Sequence, residues 1–430
     1  MRLLLQNISI IPMTANNLVL EKGYIVIEDQ FIKEVGEGDA PEGAYDRIID
    51  GTNKVALPGF INTHTHAAMS LLRGYADDLP LKEWLETKIW PLEAKMTADD
   101  MYWGTMLAIV EMIKSGTTTF HDMYFYMDNV AQAVKETGIR AVLARGMIGI
   151  GPENELAITE SRELIKKWHR TANDRISFRL GPHAPNTCPP DYLKRVIAMA
   201  DELQADIHIH LAETIGEVNF CREQYGKTPI GLMESLGMFR HHVLAAHCVH
   251  VTPEDIDILK KYNVGVAHNP ESNMKLSSGI APVPQMLDAG IPVALGTDGA
   301  SSNNNLDMLQ EMRSCALLHK VNTLNPTVIP ASQALEMATA NGATALCLEK
   351  EVGQLKPGMK ADIILMDLSP AHMTPRYDIL ANIVYSAQAA DVLTVIVDGN
   401  ILMEDRVLKT INEEEVLEKC RDIARRFVKG

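Results

Sequence analysis

Eight short apolar runs in the middle of the chain each end in a polar or ionisable residue. The runs alternate with longer helical stretches, which is typical of a parallel sheet wrapped by helices. They cover residues 59–66, 117–122, 140–145, 176–183, 205–210, 243–247, 264–268 and 292–298. Their last residues are His66, Asp122, Arg145, His183, His210, His247, His268 and Asp298. In an (α/β)8 barrel the carboxyl ends of all strands meet on one face, so side chains far apart in sequence become neighbours there. The sequence therefore predicts a TIM-type barrel with a polar face.

The two ends of the chain have a different pattern. Residues 1–57 alternate in the manner of strands, and short β runs bounded by Gly and Pro return at 356–366 and 392–400. We expect these ends to pair into one small β-sandwich. The predicted domains are 1–57 for the first part of the sandwich, 58–356 for the barrel, and 357–430 for its second part and a C-terminal helix.

A metal site is predicted at the end of the first run. His64 and His66 are two residues apart on a strand, so both point the same way and can share one divalent ion. His210 and Asp298 end two other runs and complete a set of three imidazoles and one carboxylate. This set suits zinc with a reactive water molecule, while Fe(II) and Mn(II) use the same ligand types and stay open.

Charge and cysteine usage limit the partners. The formal net charge of −16 argues against binding to nucleic acid or to an anionic membrane surface, but not against an uncharged nucleoside. No apolar stretch approaches the roughly 18 residues that suggest a membrane span. The six cysteines are widely spaced and look like free thiols in a reducing compartment. We therefore expect a cytoplasmic protein, with homo-oligomerisation left open.

Four segments together resemble the aminohydrolase branch of the amidohydrolase superfamily. They are PGFINTHTH at 58–66, HLAE at 210–213, AAHCVH at 245–250 and LGTDGASSNNN at 295–305. The segment SLLRGYADDLPLKEWL at 70–85 resembles the methylthioadenosine/S-adenosylhomocysteine deaminases more narrowly. The resemblance runs over essentially the whole chain, and it implies hydrolytic deamination of an adenine ring with one zinc ion per chain. His183 ends the fourth run, where dinuclear relatives have a lysine that bridges two metals.

The resemblance also implies roles for other residues. Asp298 accepts the proton of the attacking water, Glu213 protonates the heterocycle, and His247 orients the hydroxide. For substrate binding, besides Glu213 and Asp298, it implies Glu93 at the ribose hydroxyls and Trp84 packed on the ligand, with His183 and Arg145 lining the pocket. The loop after the third run, residues 146–160, has no second arginine that could bind an amino-acid carboxylate.

Two alternatives remain at this stage. The first is a related aminohydrolase or chlorohydrolase acting on guanine-type or s-triazine rings by the same attack on an electron-poor carbon. The second is a catalytically silent barrel that serves as a scaffold. The intact ligand set favours an enzyme over the scaffold.

Overall fold

The computed structural model describes the whole chain except Asn16, Glu153 and Gly430, and three side chains, those of Lys82, Val428 and Lys429, are also outside the description. Its strands are β1 (Arg2–Ile10), β2 (Leu20–Glu28), β3 (Phe31–Glu37), β4 (Arg47–Asp50), β5 (Lys54–Pro58), β6 (Phe60–Thr65), β7 (Thr117–Tyr124), β8 (Arg140–Met147), β9 (Ile176–Pro182), β10 (Ile207–Leu211), β11 (Val243–His247), β12 (Gly265–His268), β13 (Val293–Leu295), β14 (Ile363–Asp367), β15 (Val392–Val397), β16 (Asn400–Glu404) and β17 (Val407–Leu408).

Strands β6 to β13 form an eight-stranded parallel sheet in which consecutive strands are neighbours. This confirms the predicted barrel, and seven of the eight observed strands agree with the predicted runs to within two residues at either end. The eighth differs, because β13 ends at Leu295 and Asp298 lies beyond it with a left-handed φ of 60°. A residue with positive φ cannot continue a strand, so the last predicted run is a short strand followed by a turn.

The barrel closes between β13 and β6 through individual hydrogen bonds. The backbone N–H of Asp298 donates to the carbonyl of His64 at 2.9 Å, and the Asn62 amide side chain exchanges two hydrogen bonds with Thr297. Gly296 allows this close approach, since a Cβ atom there would lie 2.8 Å from the backbone nitrogen of His64. The closure therefore brings the turn that carries Asp298 against the end of β6.

The remaining strands form one mixed nine-stranded sheet from the two ends of the chain. Its central pairing is antiparallel, between β5 and β14, and joins residues from opposite ends of the chain. Successive side chains of β14 point to opposite faces of the sheet, as in any strand, and therefore pack in two different hydrophobic cores. Ile363 and Leu365 pack in the core of the terminal sheet, whereas Ile364 and Met366 pack in the core shared with the barrel.

Helices alternate with the strands of the barrel and continue after it in the sequence. They are α1 (Leu81–Trp84), α2 (Trp90–Glu93), α3 (Ala98–Lys114), α4 (Met127–Thr137), α5 (Asn154–Trp168), α6 (Pro190–Leu203), α7 (Ile215–Tyr225), α8 (Pro229–Leu236), α9 (Pro253–Lys261), α10 (Pro270–Lys275), α11 (Val283–Asp288), α12 (Met308–Thr323), α13 (Ala331–Met337), α14 (Ala340–Ala345), α15 (Ile379–Tyr385) and α16 (Glu413–Lys429). Reciprocal caps start two of them, Thr97 with Asp100 on α3 and Thr252 with Asp255 on α9. Among the described residues, no helix is long and apolar enough to cross a membrane.

A buried ionic cluster connects the barrel to the terminal sheet. Arg140, the first residue of β8, donates two hydrogen bonds to Asp362 at 2.8 and 3.0 Å. Asp398 lies 3.6 Å from the same guanidinium and 3.3 Å from the Lys360 ammonium. All four side chains are less than 10% exposed. Because each buried charge has an opposite charge beside it, the contact between the two modules is specific as well as apolar.

Candidate active site

The structure brings the four predicted metal ligands together at the carboxyl end of the barrel. The ring centroids of His64 and His66 are 4.9 Å apart, and that of His210 lies 4.9 Å from His64. Oδ1 of Asp298 lies 3.5 Å from Nε2 of His64 and 3.3 Å from Nε2 of His66. The ends of β6 and β10 and the turn after β13 therefore direct nitrogen and oxygen donors into one small volume.

In each of the three predicted ligand histidines, Nδ1 already has a hydrogen-bond partner. Nδ1 of His66 lies 2.6 Å from the carbonyl of Met123, and Nδ1 of His210 lies 2.8 Å from the carbonyl of His183. Both contacts require a proton on Nδ1, which leaves Nε2 free to bind a metal. Nε2 of His64 is buried and has no hydrogen-bond partner among the described residues. This nitrogen lies beside a carboxylate and two more imidazoles, and such a group of electron-pair donors fits a divalent ion.

Asp298 is held by three hydrogen bonds. Its Oδ1 accepts from the backbone N–H of Gly299 at 2.8 Å, and its Oδ2 accepts from the hydroxyls of Ser272 and Ser302 at 2.7 and 3.2 Å. Burial alone would raise the pKa of Asp298, but the imidazoles of His64 and His66 lower it well below its usual value. The residue is therefore an oriented carboxylate that can bind metal through one oxygen.

Glu213 and His247 lie close to Asp298, and the ring centroid of His247 is 5.5 Å from that of His64. Nε2 of His247 is 3.8 Å from Oε2 of Glu213 and 4.0 Å from Oδ2 of Asp298. Asn273 fixes the ring, since its Oδ1 lies 2.8 Å from Nδ1 of His247. Burial raises the pKa of Glu213, whose side chain accepts one long hydrogen bond, 3.4 Å, from Ser278. A carboxyl group whose pKa is raised in this way is a better proton donor near neutral pH than an exposed one, and it can act as an acid toward a bound ligand.

The sequence interpretation missed Glu217, which holds the backbone on which Glu213 is carried. Its two carboxylate oxygens accept the N–H groups of Ala212 and Glu213 at 2.9 and 3.1 Å. Ala212 has a left-handed φ of 53°, so this turn needs external support. Burial raises the pKa of Glu217 to about 7. The sequence feature that could have indicated Glu217 is its position in the first turn of α7, four residues after Glu213.

A cavity of about 1000 Å³, its open mouth included, lies over this cluster. One wall is apolar and comes from the segment around α1 and α2, with Leu81, Trp84, Leu85 and Trp90. Trp84 is 4% exposed and donates through Nε1 to the carbonyl of Ala76 at 2.9 Å. The other lining residues include the predicted Glu93 and His183 together with His66, His210, Glu213, His247 and Asp298. The volume suits a nucleoside-sized ligand.

Glu93 is held at the edge of the cavity by a residue that the sequence did not indicate. The hydroxyl of Tyr124 donates to Oε1 of Glu93, and both residues line the cavity. Burial raises the pKa of Glu93, and the opposing effect of the hydrogen bond from Tyr124 is smaller, so the pKa is raised overall. Tyr124 is the last residue of β7, two residues beyond the predicted end of that run at Asp122.

Arg145 does not line this cavity but an adjoining one. The adjoining cavity shares Trp90, Glu93 and Phe125 with the first. The guanidinium of Arg145 donates through Nε to Glu160 at 2.8 Å and lies 5.1 Å from the centre of the Phe125 ring. It is 6% exposed. Arg145 can therefore meet only a ligand long enough to extend from the first cavity into the second.

His208 lies two residues before His210 on β10 and is not one of the four predicted ligands. Its Nε2 is 2.9 Å from Nδ1 of His64, and its ring centroid is 4.2 Å from that of His121 deeper in the barrel. Burial lowers the pKa values of His208 and His121 well below the usual value for histidine. Both rings are therefore neutral at pH 7.

Comparisons with known proteins agree over nearly the whole chain. A family model described as "Amidohydrolase family" matches residues 55–402. A curated relative from Syntrophomonas wolfei, named 5-methylthioadenosine/S-adenosylhomocysteine deaminase, is 70% identical over 429 residues, with 100% of both chains covered. An adenosine deaminase from Xanthomonas campestris, solved with bound zinc, has 32% identity and a TM-score of 0.95, covering 100% of this chain and 99% of its own. An atrazine chlorohydrolase from Arthrobacter aurescens, complexed with zinc, shares the fold at 24% identity and a TM-score of 0.92, covering 98% of this chain and 100% of its own.

Proposed function

This chain belongs to the amidohydrolase family, and we propose that it hydrolytically deaminates the adenine ring of 5'-methylthioadenosine and S-adenosylhomocysteine. The products are ammonia and the corresponding inosine analogues. The observation that carries this proposal is the placement of Glu213, His247 and Asp298 around the histidine cluster, since it supplies an acid, an orienting imidazole and a base on one side of a nucleoside-sized cavity. The 70% identity to a deaminase of this name supports the substrate assignment.

We propose that His64, His66, His210 and Asp298 hold one zinc ion per chain. When bound, such an ion lowers the pKa of a water molecule to about 7 and so supplies a hydroxide at neutral pH. Fe(II) and Mn(II) also bind imidazole and carboxylate donors. The zinc in the structure of the Xanthomonas campestris relative favours zinc here.

The two carboxyl groups divide the proton transfers between them. Asp298, with its pKa held low, accepts a proton from the attacking water and passes it to the leaving ammonia. Glu213, with its pKa raised by burial, delivers a proton to the ring nitrogen, which makes the neighbouring carbon electrophilic. The remaining proton of the attacking hydroxide returns to Glu213, so its acid form is restored after each turnover. His247, fixed by Asn273, orients the attacking oxygen.

Substrate recognition uses the two connected cavities. Glu93 accepts hydrogen bonds from the ribose hydroxyls, Trp84 packs on the nucleoside, and His183 lines the pocket beside His210. The 5' tail extends toward the adjoining cavity, where Arg145 meets the carboxylate of a homocysteine tail. Methylthioadenosine has no charged group to place there, so Arg145 contributes little to its binding. We further infer that the enzyme acts in the cytoplasm, where its six free cysteines stay reduced.

Steady-state kinetics on five compounds test this function: methylthioadenosine, S-adenosylhomocysteine, adenosine, guanine and an s-triazine. We expect the zinc-loaded enzyme to release ammonia from methylthioadenosine at least as efficiently as from S-adenosylhomocysteine, and from both at least roughly 100-fold more efficiently than from guanine. Adenosine, which lacks a tail, measures the contribution of the adjoining cavity. Preference for guanine or an s-triazine would support the alternative chemistry, and no turnover of any compound by the zinc-loaded protein would support a scaffold.

A further inference from the structure

The three ligand histidines differ in how their orientation is secured. His66 and His210 are held by backbone carbonyl oxygens, which accept hydrogen bonds and never donate them. His64 is held by the imidazole of His208, which can do either. His64 is therefore the one ligand histidine of the site whose protonated nitrogen depends on another side chain.

The His64–His208 pair has two arrangements of its shared hydrogen bond. If His64 donates from Nδ1, its Nε2 carries a lone pair toward Asp298, and the metal can bind there. If His208 donates from Nε2, the proton of His64 moves to Nε2 and points at Asp298, 3.5 Å away. That second arrangement blocks the metal position with a proton. Only one of the two is compatible with a bound ion.

The surroundings of His208 impose neither arrangement. His208 is 0% exposed, and its Nδ1, which then carries the proton, has no hydrogen-bond partner among the described residues. Its ring faces His121, whose two nitrogens likewise have no partner in the part of the chain that the structure describes. His208 thus makes one described hydrogen bond, and that bond goes to a metal ligand.

We propose that His208 is a positioning residue whose Nε2 accepts the Nδ1 proton of His64 when the metal is bound and thereby raises the affinity of the site for its metal ion. The proposal rests on the ligand set assigned above. Partners of this kind contribute about 10- to 100-fold to metal affinity in other proteins. The same substitution at His121 provides a matched control, since it removes a buried imidazole next to His208 that makes no described hydrogen bond to a ligand.

The test measures zinc dissociation constants by competition with a chelator for the wild type and four variants. We expect His208→Phe to bind zinc about 10- to 100-fold more weakly, His121→Phe to bind like the wild type, and His208→Gln, which keeps an acceptor oxygen, to recover part of the loss. His64→Ala should lose zinc binding. Unchanged affinity in His64→Ala would overturn the ligand set itself, whereas loss in His64→Ala with normal affinity in His208→Phe would overturn only the role of His208.

A second measurement needs no variant to fold. In the zinc-loaded wild type with 15N-labelled histidine, the imidazole nitrogen shifts report which nitrogen carries each proton. We expect Nδ1 to be protonated in both His64 and His208. A proton on Nε2 of His208 would overturn the proposal.

Discussion

Replacing Glu213 with glutamine removes the acidic proton of the carboxyl group and leaves the rest of the side chain nearly unchanged. The side chain keeps its size, and the amide can still meet the Ser278 hydroxyl, which is 3.4 Å from the carboxylate. Glu213 is not among the metal ligands, so the variant should retain its metal. Loss of a positioned proton donor lowers rates by about 100- to 10,000-fold. At 1.36 kcal/mol per factor of ten, this corresponds to about 2.7 to 5.5 kcal/mol of transition-state stabilisation.

The assay compares kcat, KM and metal content for wild type and Glu213→Gln over a range of pH. Burial raises the pKa of Glu213. The wild-type kcat should fall as the pH rises through this raised pKa, because the proton donor is then ionised, and the variant should lack this decrease. Glu311→Gln is the control, since Glu311 is also a buried carboxyl with a raised pKa but does not line the cavity. A Glu213→Gln variant with bound metal and near-normal kcat would refute the assigned proton donor.

Three further predictions concern the tail, the module contact and the metal. Arg145→Ala should lower kcat/KM for S-adenosylhomocysteine by about 10- to 150-fold, and the loss for methylthioadenosine should be several-fold smaller. Equal losses for the two substrates would mean that Arg145 contacts the ribose or has a structural role. Arg140→Met should lower the free energy of unfolding in urea by about 3 to 5 kcal/mol, since it leaves buried carboxylates unpaired. The exposed Arg195→Met should lose less than about 1 kcal/mol, and similar losses would contradict this account. Elemental analysis should find one metal ion per chain, whose removal abolishes activity. Although burial lowers the pKa of His66, Asp298 raises it to about 9, so metal binding at pH 7 should release a proton and tighten as the pH rises toward 9; calorimetry in two buffers measures that release.

Periodicity was sufficient to predict the barrel and its polar face. Strands repeat every two residues, so His64 and His66 had to point the same way, and parallel strands had to collect His210 at the same end. Asp298 was expected at a strand end and lies instead in a left-handed turn. The periodic pattern cannot distinguish these cases, because the turn depends on contacts with Asn62 across the barrel closure.

The sequence could not predict contacts between side chains on different strands and helices. Arg145 ends its predicted run, but its side chain turns away from the main cavity toward Glu160. Glu217 and Tyr124 act through hydrogen bonds to Glu213 and Glu93, and those bonds depend on how each turn leaves its strand. Sequence spacing gives the direction of a side chain within one regular element, but it does not give the partner that this side chain meets on another element.

The pairing of β5 with β14 has a consequence for synthesis of the chain. The strand at Lys54–Pro58 leaves the ribosome long before its partner at Ile363–Asp367. At 5 to 20 residues per second, the interval is about 15 to 60 s. The barrel strands β6 to β13 are complete within that interval, while β5 still presents one unpaired edge. The buried Arg140 waits for Asp362 for a shorter time, because the two are 222 residues apart, which takes about 11 to 44 s at the same rates. The nascent barrel therefore carries an open strand edge and an uncompensated cation at its base until the last quarter of the chain arrives.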